Sequence, residues 1–298
     1  MKIVDTYWIP CMNLVTNIIL PLALAFIMFS LGLGLTSKDF ARVIRQPKDF
    51  IAGLLSQVII LPVIGFLLVL VFPVTPEIAI GVMIISAAPG GVTSNILTSF
   101  GRGDVALSIS LTAVISLISL ITIPLIIGLS YAYFFGETAK SEISITRIAL
   151  SVFTIVTVPV IIGLGVRHFF SDFATSFAKT AKNISAALFT LVLLGAIFQE
   201  RNNIAEYYAD TGLITLSLNL IMLAVAWFVA SLFGSGIQQK IAISIECGLQ
   251  NGTLAIAVAT LLFGGGPAVI PAATYSVTMF LTALIFIYII RKKFKIAE

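Results

Sequence analysis

Long apolar runs recur along the whole chain, and each has the length of a membrane-spanning helix. A helix needs about 20 apolar residues to cross the roughly 30 Å hydrocarbon core of a bilayer, whereas barrel strands alternate over about ten residues. The runs in this chain are continuous rather than alternating. Of its 298 residues, 59% are hydrophobic and only 10% are charged, against about 25% charged in soluble domains. The sequence therefore predicts an all-α polytopic membrane protein.

About nine transmembrane helices can be placed along the chain from the length of its apolar runs. In order, they cover about residues 11–35, 50–72, 77–100, 105–135, 143–169, 183–199, 212–233, 239–263 and 268–290. The first is interpreted as an uncleaved span, because its sequence has no clear small-residue cleavage site. An odd number of spans places the two termini on opposite sides of the membrane.

Basic residues are distributed unevenly between the two sides that these spans define. The richer side carries Lys38, Arg42, Arg45, Lys48, Arg102, Arg167, Lys179, Lys182, Lys240, Arg291, Lys292, Lys293 and Lys295, and the other side carries Lys2, Lys140, Arg147 and Arg201. Because cytoplasmic loops are enriched in Lys and Arg, the C-terminus is predicted to be cytoplasmic and the N-terminus outside, in a cell (inner) membrane. These loops also explain the net charge of +4, so no nucleic-acid partner is inferred.

An internal repeat is found when the chain is shifted by 163 residues, which places residues 77–80 on 240–243 and residues 100–103 on 263–266. The first four spans then overlay the last four and leave the fifth unpaired. That extra crossing inverts the second unit relative to the first. Inverted repeats with paired broken helices are typical of secondary transporters.

Glu246 is the only charged residue between Ile241 and Ile290. A carboxylate at the centre of a membrane helix costs about 2.5–3.5 kcal/mol on insertion scales, so an acid in this position indicates a functional site. Gly248 and Gly252 follow it closely and weaken the helix. An opened backbone leaves carbonyl groups available for a ligand.

A second helix break is predicted at Pro89, Gly90 and Gly91, in the middle of the third span. Proline removes a backbone donor, and glycine permits dihedral angles outside the helical region. The next three residues are Thr93, Ser94 and Asn95. Such residues cap helix N-termini, so they are expected to begin the second half-helix with side-chain caps.

Several polar side chains add oxygen atoms near these breaks. Ser108 and Thr112 are four residues apart and share one face of a helix, and Gln57 lies in an otherwise apolar span. Together with Glu246, Gln250 and the backbone of Cys247 and Leu249, they supply the oxygen ligands that hard cations such as sodium require. Taken one at a time, the hydroxyls are equally typical of helix packing, and the amide of a bridge between helices.

The segments SAAPGGVTSN (residues 86–95), GDVALS (103–108) and ECGLQN (246–251) carry a resemblance to a known family. Over nearly its whole length the chain resembles the bile acid:sodium symporter family. The resemblance implies a core domain, about residues 50–135 and 212–290, in which the two broken helices cross. It also implies a panel domain, about residues 11–35 and 143–199.

The resemblance further implies two bound sodium ions. Carried over residue by residue, one ion would be held by Ser94, Asn95, Ser108, Thr112 and Glu246. The other would be held by Gln57, Glu246, Gln250 and the backbone carbonyls of Cys247 and Leu249. Thr93, Asn251 and the half-helix N-termini, whose partial positive charge favours anions, are the expected substrate contacts.

The function predicted from these features is sodium-coupled symport, by alternating access, of an organic anion that is bile acid-like, a steroid conjugate or a small carboxylate. The partners are this anion and the lipid bilayer. An alternative is a proton-coupled or uncoupled organic anion carrier, in which Glu246 would be the titrating group. An intramembrane enzyme is disfavoured, because His168 at a helix end and one buried acid supply neither a nucleophile with its base nor a metal cluster.

Overall fold

The computed structural model describes residues 20–34, 46–139, 150, 153–199 and 204–294. The described chain forms helices α1 (Leu20–Gly34), α2 (Pro47–Leu55), α3 (Leu61–Val71), α4 (Pro76–Ala87), α5 (Val92–Phe100), α6 (Val105–Ala139), α7 (Val158–Phe169), α8 (Ser171–Gln199), α9 (Ile204–Leu232), α10 (Ile237–Gly248), α11 (Gly252–Phe263) and α12 (Ile270–Lys293). Short π-helical turns, Ser56–Ile60 and Phe153–Thr157, precede α3 and α7, and a 3-10 turn, Gly266–Val269, precedes α12.

Within the described part of the chain, four helical stretches are long and apolar enough to cross a membrane, which confirms the all-α membrane class. They are Pro47–Val71, Val105–Gly136, Thr211–Leu232 and Gly266–Lys293. The shortest has 22 residues, which at 1.5 Å per residue gives about 33 Å, enough for the hydrocarbon core. Shorter apolar helices include α4, α7 and α11, and two of these adjoin the predicted breaks.

Some predictions concern residues outside the described ranges. These are residues 11–19 and 35 of the first predicted span and 143–149, 151 and 152 of the fifth. The same holds for Lys38, Arg42, Arg45 and Lys295 on the basic side, and for Lys2, Lys140, Arg147 and Arg201 on the other side.

Helix α8 differs from the prediction, because it begins at Ser171 rather than at residue 183. Its first turns carry Asp172, Lys179 and Lys182 and are too polar to be recognised as part of an apolar span. A tight turn at Phe170 joins α7 directly to α8, and Arg167 Nη1 donates across it to Thr175 Oγ1 at 2.8 Å. The helix therefore extends beyond its apolar part.

Both predicted helix breaks are present, one between α4 and α5 and the other between α10 and α11. The two breaks are in contact with each other. The backbone N–H of Asn251 donates to the Pro89 carbonyl at 2.8 Å, and Gly90 pairs with Gln250 in an isolated antiparallel bridge. A helix break inside a membrane exposes backbone groups that water cannot reach, so they must be paired within the protein. Here backbone groups of one break are paired with backbone groups of the other break.

Each π-helical turn lies just before a proline. Pro62 follows the turn Ser56–Ile60, and Pro159 follows the turn Phe153–Thr157. Proline cannot donate to the carbonyl four residues earlier and clashes with it, and a widened turn relieves that clash. In the first case the Leu61 N–H donates to the Ser56 carbonyl, five residues back. This widened turn carries Gln57, which is buried.

Helix α1 packs closely against α7, and both contact α8. The approach depends on two glycines. A Cβ atom at Gly163 would lie 2.3 Å from the Phe29 carbonyl oxygen, and one at Gly32 would lie 2.2 Å from the Val160 carbonyl oxygen. Small residues at helix interfaces allow such backbone contact in membrane proteins.

Gly163→Ala is expected to lower the free energy of unfolding by about 1–3 kcal/mol, because the added methyl group would overpack a backbone contact. Gly165→Ala on the same helix is the matched control, since a Cβ there meets nothing within 4 Å. The control is expected to be neutral or slightly stabilising, because alanine favours helix more than glycine does. Thermal unfolding in detergent measures both, and equal stability of the two variants would contradict the close packing.

Candidate functional site

Glu246 lies in the last turn of α10, directly before the second break, and is completely buried. Its carboxylate accepts three side-chain hydrogen bonds. Ser94 and Ser108 donate to Oε2 at 2.6 and 2.8 Å, and Thr112 donates to Oε1 at 2.5 Å. All three donors are neutral hydroxyls, so these contacts solvate the carboxylate but do not neutralise its charge.

Asn95 completes this group, which we call the carboxylate cluster: Ser94, Asn95, Ser108, Thr112 and Glu246. The Asn95 side-chain oxygen accepts from Ser108 at 2.7 Å and from Thr112 at 3.4 Å. Each hydroxyl has one proton but more than one acceptor within reach, because Ser94 also reaches the Gly91 carbonyl at 2.6 Å. The cluster is therefore rich in oxygen and poor in protons, and a small cation would fit its chemistry.

The α5–α6 corner fixes the donors relative to α10. The Asp104 N–H donates to the Gln238 carbonyl at 2.9 Å, and Gln239 Nε2 donates to Asp104 Oδ2 at 3.1 Å. The other Asp104 oxygen accepts from the Leu107 N–H at 3.1 Å. One carboxylate thus joins the start of α6 to the start of α10. Ser108 is four residues further along α6 and faces Glu246 as a result.

A second group lies beside the first and is called the amide cluster: Gln57, Gln250 and the backbone carbonyls of Ala88 and Cys247. Gln57 Nε2 donates to the Ala88 carbonyl at 3.1 Å and to Gln250 Oε1. Gln250 Nε2 in turn donates to the Cys247 carbonyl at 2.8 Å. The cluster connects the widened turn before α3 to both breaks.

The Gln57 side-chain oxygen is buried and has no hydrogen-bond partner among the described residues. Leaving such an atom unpaired costs about 1–3 kcal/mol. Leu249 is the C-cap of α10 and has an extended backbone, φ −112° and ψ 105°, so its carbonyl has left the helical pattern. Amide and carbonyl oxygens are ligands of hard cations, and this donor set fits a sodium ion as well as the carboxylate cluster does.

The predicted substrate residues lie at the N-termini of the second half-helices. Thr93 is exposed in the first turn of α5, and Asn251 is half-buried at the start of α11. A Cβ atom at Gly91 would lie 3.4 Å from Thr93 Oγ1 and 3.9 Å from the Asn251 Cα, so both residues flank Gly91. The two lie where helix N-termini offer a partial positive charge.

The predicted capping of α5 by Thr93, Ser94 and Asn95 is wrong. The N-cap of α5 is Gly91, which makes no side-chain cap bond. Ser94 lies inside the first turn, and its hydroxyl donates to Glu246 instead. A carboxylate is a stronger acceptor than a neutral oxygen, so it holds this hydroxyl. Asn251, in contrast, does cap α11, because its Oδ1 accepts from the Leu254 N–H at 3.0 Å.

Four residues that support the site were not identified from the sequence. They are Asp104, Asn219, Tyr275 and Thr282, of which the last three form a buried network behind the second break. Asn219 is the one amide in the uncharged predicted span 212–233, which is the same kind of signal that identified Gln57. Tyr275 and Thr282 have no such signal, because hydroxyl groups are common in membrane helices.

Comparison with known proteins identifies the family. Residues 21–207 match the profile of the sodium bile acid symporter family. The chain belongs to this family. As a member of the sodium bile acid symporter family it is a multi-pass membrane transport protein and not an enzyme.

Several curated proteins are similar to this family member. The uncharacterized sodium-dependent transporter YocS of Bacillus subtilis (strain 168) is 28% identical over 262 residues, which cover 85% of this chain and 77% of that protein. The probable chloroplastic sodium/metabolite cotransporter BASS2 of Oryza sativa subsp. japonica is 27% identical, over 86% of this chain and 60% of its own length. The ileal sodium/bile acid cotransporter of Homo sapiens is 38% identical over 114 residues, 38% of this chain and 33% of that protein.

Proposed function

We propose that this chain is a sodium-coupled symporter of an organic anion, and that each cluster holds one sodium ion. The observation that carries the proposal is the surplus of acceptors over protons around Glu246, where three neutral hydroxyls surround a buried carboxylate. A buried charge without a counter-ion is costly, and a monovalent cation offsets that cost without breaking the fold. The unpaired Gln57 oxygen supports the second ion.

In this proposal Glu246 is a ligand of both ions. Its cluster joins α5, α6 and α10, while the adjacent Cys247 and Gln250 belong to the amide cluster. Sodium binding would therefore order both breaks at once. Thr93 and Asn251 lie at these breaks and would meet the anion at two helix N-termini. If sodium stabilises the arrangement that binds the anion, the anion must tighten sodium binding by the same factor.

The architecture we propose for transport has about nine spans in two inverted repeats. A core domain, about residues 50–135 and 212–290, holds the crossing breaks, and a panel domain covers about 11–35 and 143–199. The mutual packing of α1, α7 and α8 supports the panel. Movement of the core against the panel would expose the site to each side in turn.

The orientation proposed from basic residues has a cytoplasmic C-terminus, an outside N-terminus and a location in the cell (inner) membrane. Lys48, Arg102, Lys240 and Arg291 would then lie on the cytoplasmic side. If two sodium ions enter with one monovalent anion, one net charge crosses. The membrane potential would contribute about 2.3 kcal/mol per 100 mV to that step.

The substrate we propose is an organic anion such as a bile salt, a steroid conjugate or a small carboxylate. Relatives whose names specify bile acid, metabolite or organic anion transport support this class. Screening these three groups for thermal stabilisation of the purified chain, with and without sodium, would select the anion for transport assays. A ligand that binds only the folded state adds RT ln(1 + [L]/Kd) to the free energy of unfolding and therefore raises the unfolding temperature.

Uptake of the selected anion into proteoliposomes is expected to require an inward sodium gradient. The rate should rise sigmoidally with sodium, because two ions precede or accompany the anion. Choline in place of sodium is the control, and a pH gradient without sodium tests the proton-coupled alternative. Uptake that is unchanged in choline, or that follows only the pH gradient, would overturn sodium coupling.

A further inference from the structure

The second break leaves the Gly248 carbonyl without its usual helical donor. The N–H of Gly252 would bond it in a continuous helix, but donates to the Gln250 carbonyl at 2.9 Å instead. Two side chains replace the Gly252 N–H as donors to the Gly248 carbonyl. Asn219 Nδ2 donates to the Gly248 oxygen at 2.6 Å, and the Tyr275 hydroxyl donates to the same oxygen at 2.8 Å. Both lone pairs of this carbonyl are therefore used.

Both polar atoms of the Asn219 side chain are hydrogen-bonded. Its Nδ2 also lies 3.2 Å from the Tyr275 hydroxyl, and its Oδ1 accepts from the Thr282 hydroxyl at 2.5 Å. Asn219 and Tyr275 are completely buried, and Thr282 is 7% exposed. A side chain with its donor and its acceptor both paired has one orientation available. The Gly248 carbonyl is fixed by α9 and α12 together, through a rigid contact.

Gln57 and Asn219 occupy corresponding places at the two breaks. Each is an amide in the membrane span that precedes a broken helix, and each donates to a carbonyl at the end of the first half-helix, Ala88 or Gly248. They differ in their oxygens. Among the described residues the Gln57 oxygen has no partner, whereas the Asn219 oxygen accepts from Thr282. The Gln57 oxygen is therefore available to a cation, and the Asn219 oxygen is not.

We propose that Asn219, locked by Thr282 and Tyr275, is the positioning residue for the sodium ion of the amide cluster. By holding the Gly248 carbonyl, which lies between them along the backbone, it sets the direction of the Cys247 and Leu249 carbonyls, which are backbone ligands in the proposed function. Thr282 occupies the Asn219 oxygen and prevents it from competing with Gln57 for the ion. This inference rests on the proposed function and adds to it the residues that set sodium affinity.

Thr282→Val is the first test, because it removes one hydroxyl with almost no change of shape. The proposal expects the sodium concentration for half-maximal binding, fitted from the rise of the unfolding temperature with sodium, to increase about three- to ten-fold, the range for loss of one buried hydrogen bond. Uptake at saturating sodium should stay within about two-fold of the native rate, because the ion still binds when its concentration is high enough. Asn219→Leu is expected to raise the half-maximal concentration further than Thr282→Val does.

Thr274→Val is the matched control. Thr274 is a buried threonine on the same helix, and its hydroxyl lies 3.1 Å from that of Thr211 on α9, whereas the side chains that donate to Gly248 are Asn219 and Tyr275. Both threonine variants lose a hydroxyl at the α9–α12 interface, so both should lower the sodium-free unfolding temperature to a similar extent. Only Thr282→Val should change the half-maximal sodium concentration.

The outcomes separate this inference from the proposed function. A native sodium-dependent shift in unfolding temperature, with unchanged half-maximal concentrations in Thr282→Val and Tyr275→Phe, would overturn the positioning role alone. Absence of any sodium-dependent shift in the native chain would overturn the proposed function and the positioning role with it. If Asn219→Leu does not fold, Thr282→Val and Tyr275→Phe decide the question, since each removes only one hydroxyl.

Discussion

Glu246→Gln is expected to abolish sodium-driven uptake, with a fall of at least about 100-fold. The substitution keeps the shape of the side chain but removes the one charge that both proposed ions share. Removing one partner of a buried charge pair costs about 3–5 kcal/mol, which corresponds to more than a hundred-fold in ion binding. The new amide would also bring two N–H donors into a cluster where three hydroxyls already donate.

Ser244→Ala is the matched control for this substitution. Ser244 lies on α10 two residues before Glu246 and is buried, but its hydroxyl has no hydrogen-bond partner among the described residues. Its removal is expected to leave uptake and sodium-dependent stabilisation at native levels. Uptake into proteoliposomes and sodium-dependent thermal unfolding are measured for both variants. Glu246→Gln protein that still responds to sodium as the native chain does would refute the proposed mechanism.

Gly90→Ala is expected to have a similarly large effect, although it changes no ligand. A Cβ atom at Gly90 would lie 2.2 Å from Glu246 Oε1 and 2.7 Å from its Cδ, which is closer than real contacts allow. The end of a glutamate can usually move aside. Here three hydroxyls hold it, and Gly90 is paired to Gln250 on the other break, so relief would separate the two breaks. Sodium-dependent stabilisation and sodium-driven uptake should both be lost.

Gly91→Ala is the control for steric change at the same break. A Cβ there would meet Thr93 Oγ1 at 3.4 Å, an ordinary contact, and the backbone at φ −105° and ψ 166° suits any residue. Sodium-dependent stabilisation is expected to remain in this variant. The half-maximal sodium concentration from thermal unfolding is the measurement. A native value in Gly90→Ala would show that the contact between Gly90 and Glu246 is not required for ion binding.

The sequence was sufficient to identify the membrane class, both helix breaks and Glu246. Each of these follows from a free-energy cost that a residue carries at its own position in the sequence, whatever the rest of the fold. Apolar runs of helical length must lie in lipid or in a core, and a carboxylate among them must have a function or a partner. Proline and glycine interrupt a helix wherever they are placed. These costs do not depend on which helices become neighbours, so the sequence alone predicts them.

The partners of these residues were decided only by the tertiary structure. Local rules assigned Ser94 to helix capping, but the acceptor that holds its hydroxyl is Glu246, 152 residues away. Gln57 meets Gln250 across 193 residues, and Asn219 reaches Gly248 from another helix. Hydrogen bonds between helices depend on packing distances that no local pattern encodes. The sequence by itself determined where the backbone opens and where the charge lies, and packing alone decided which side chains surround them.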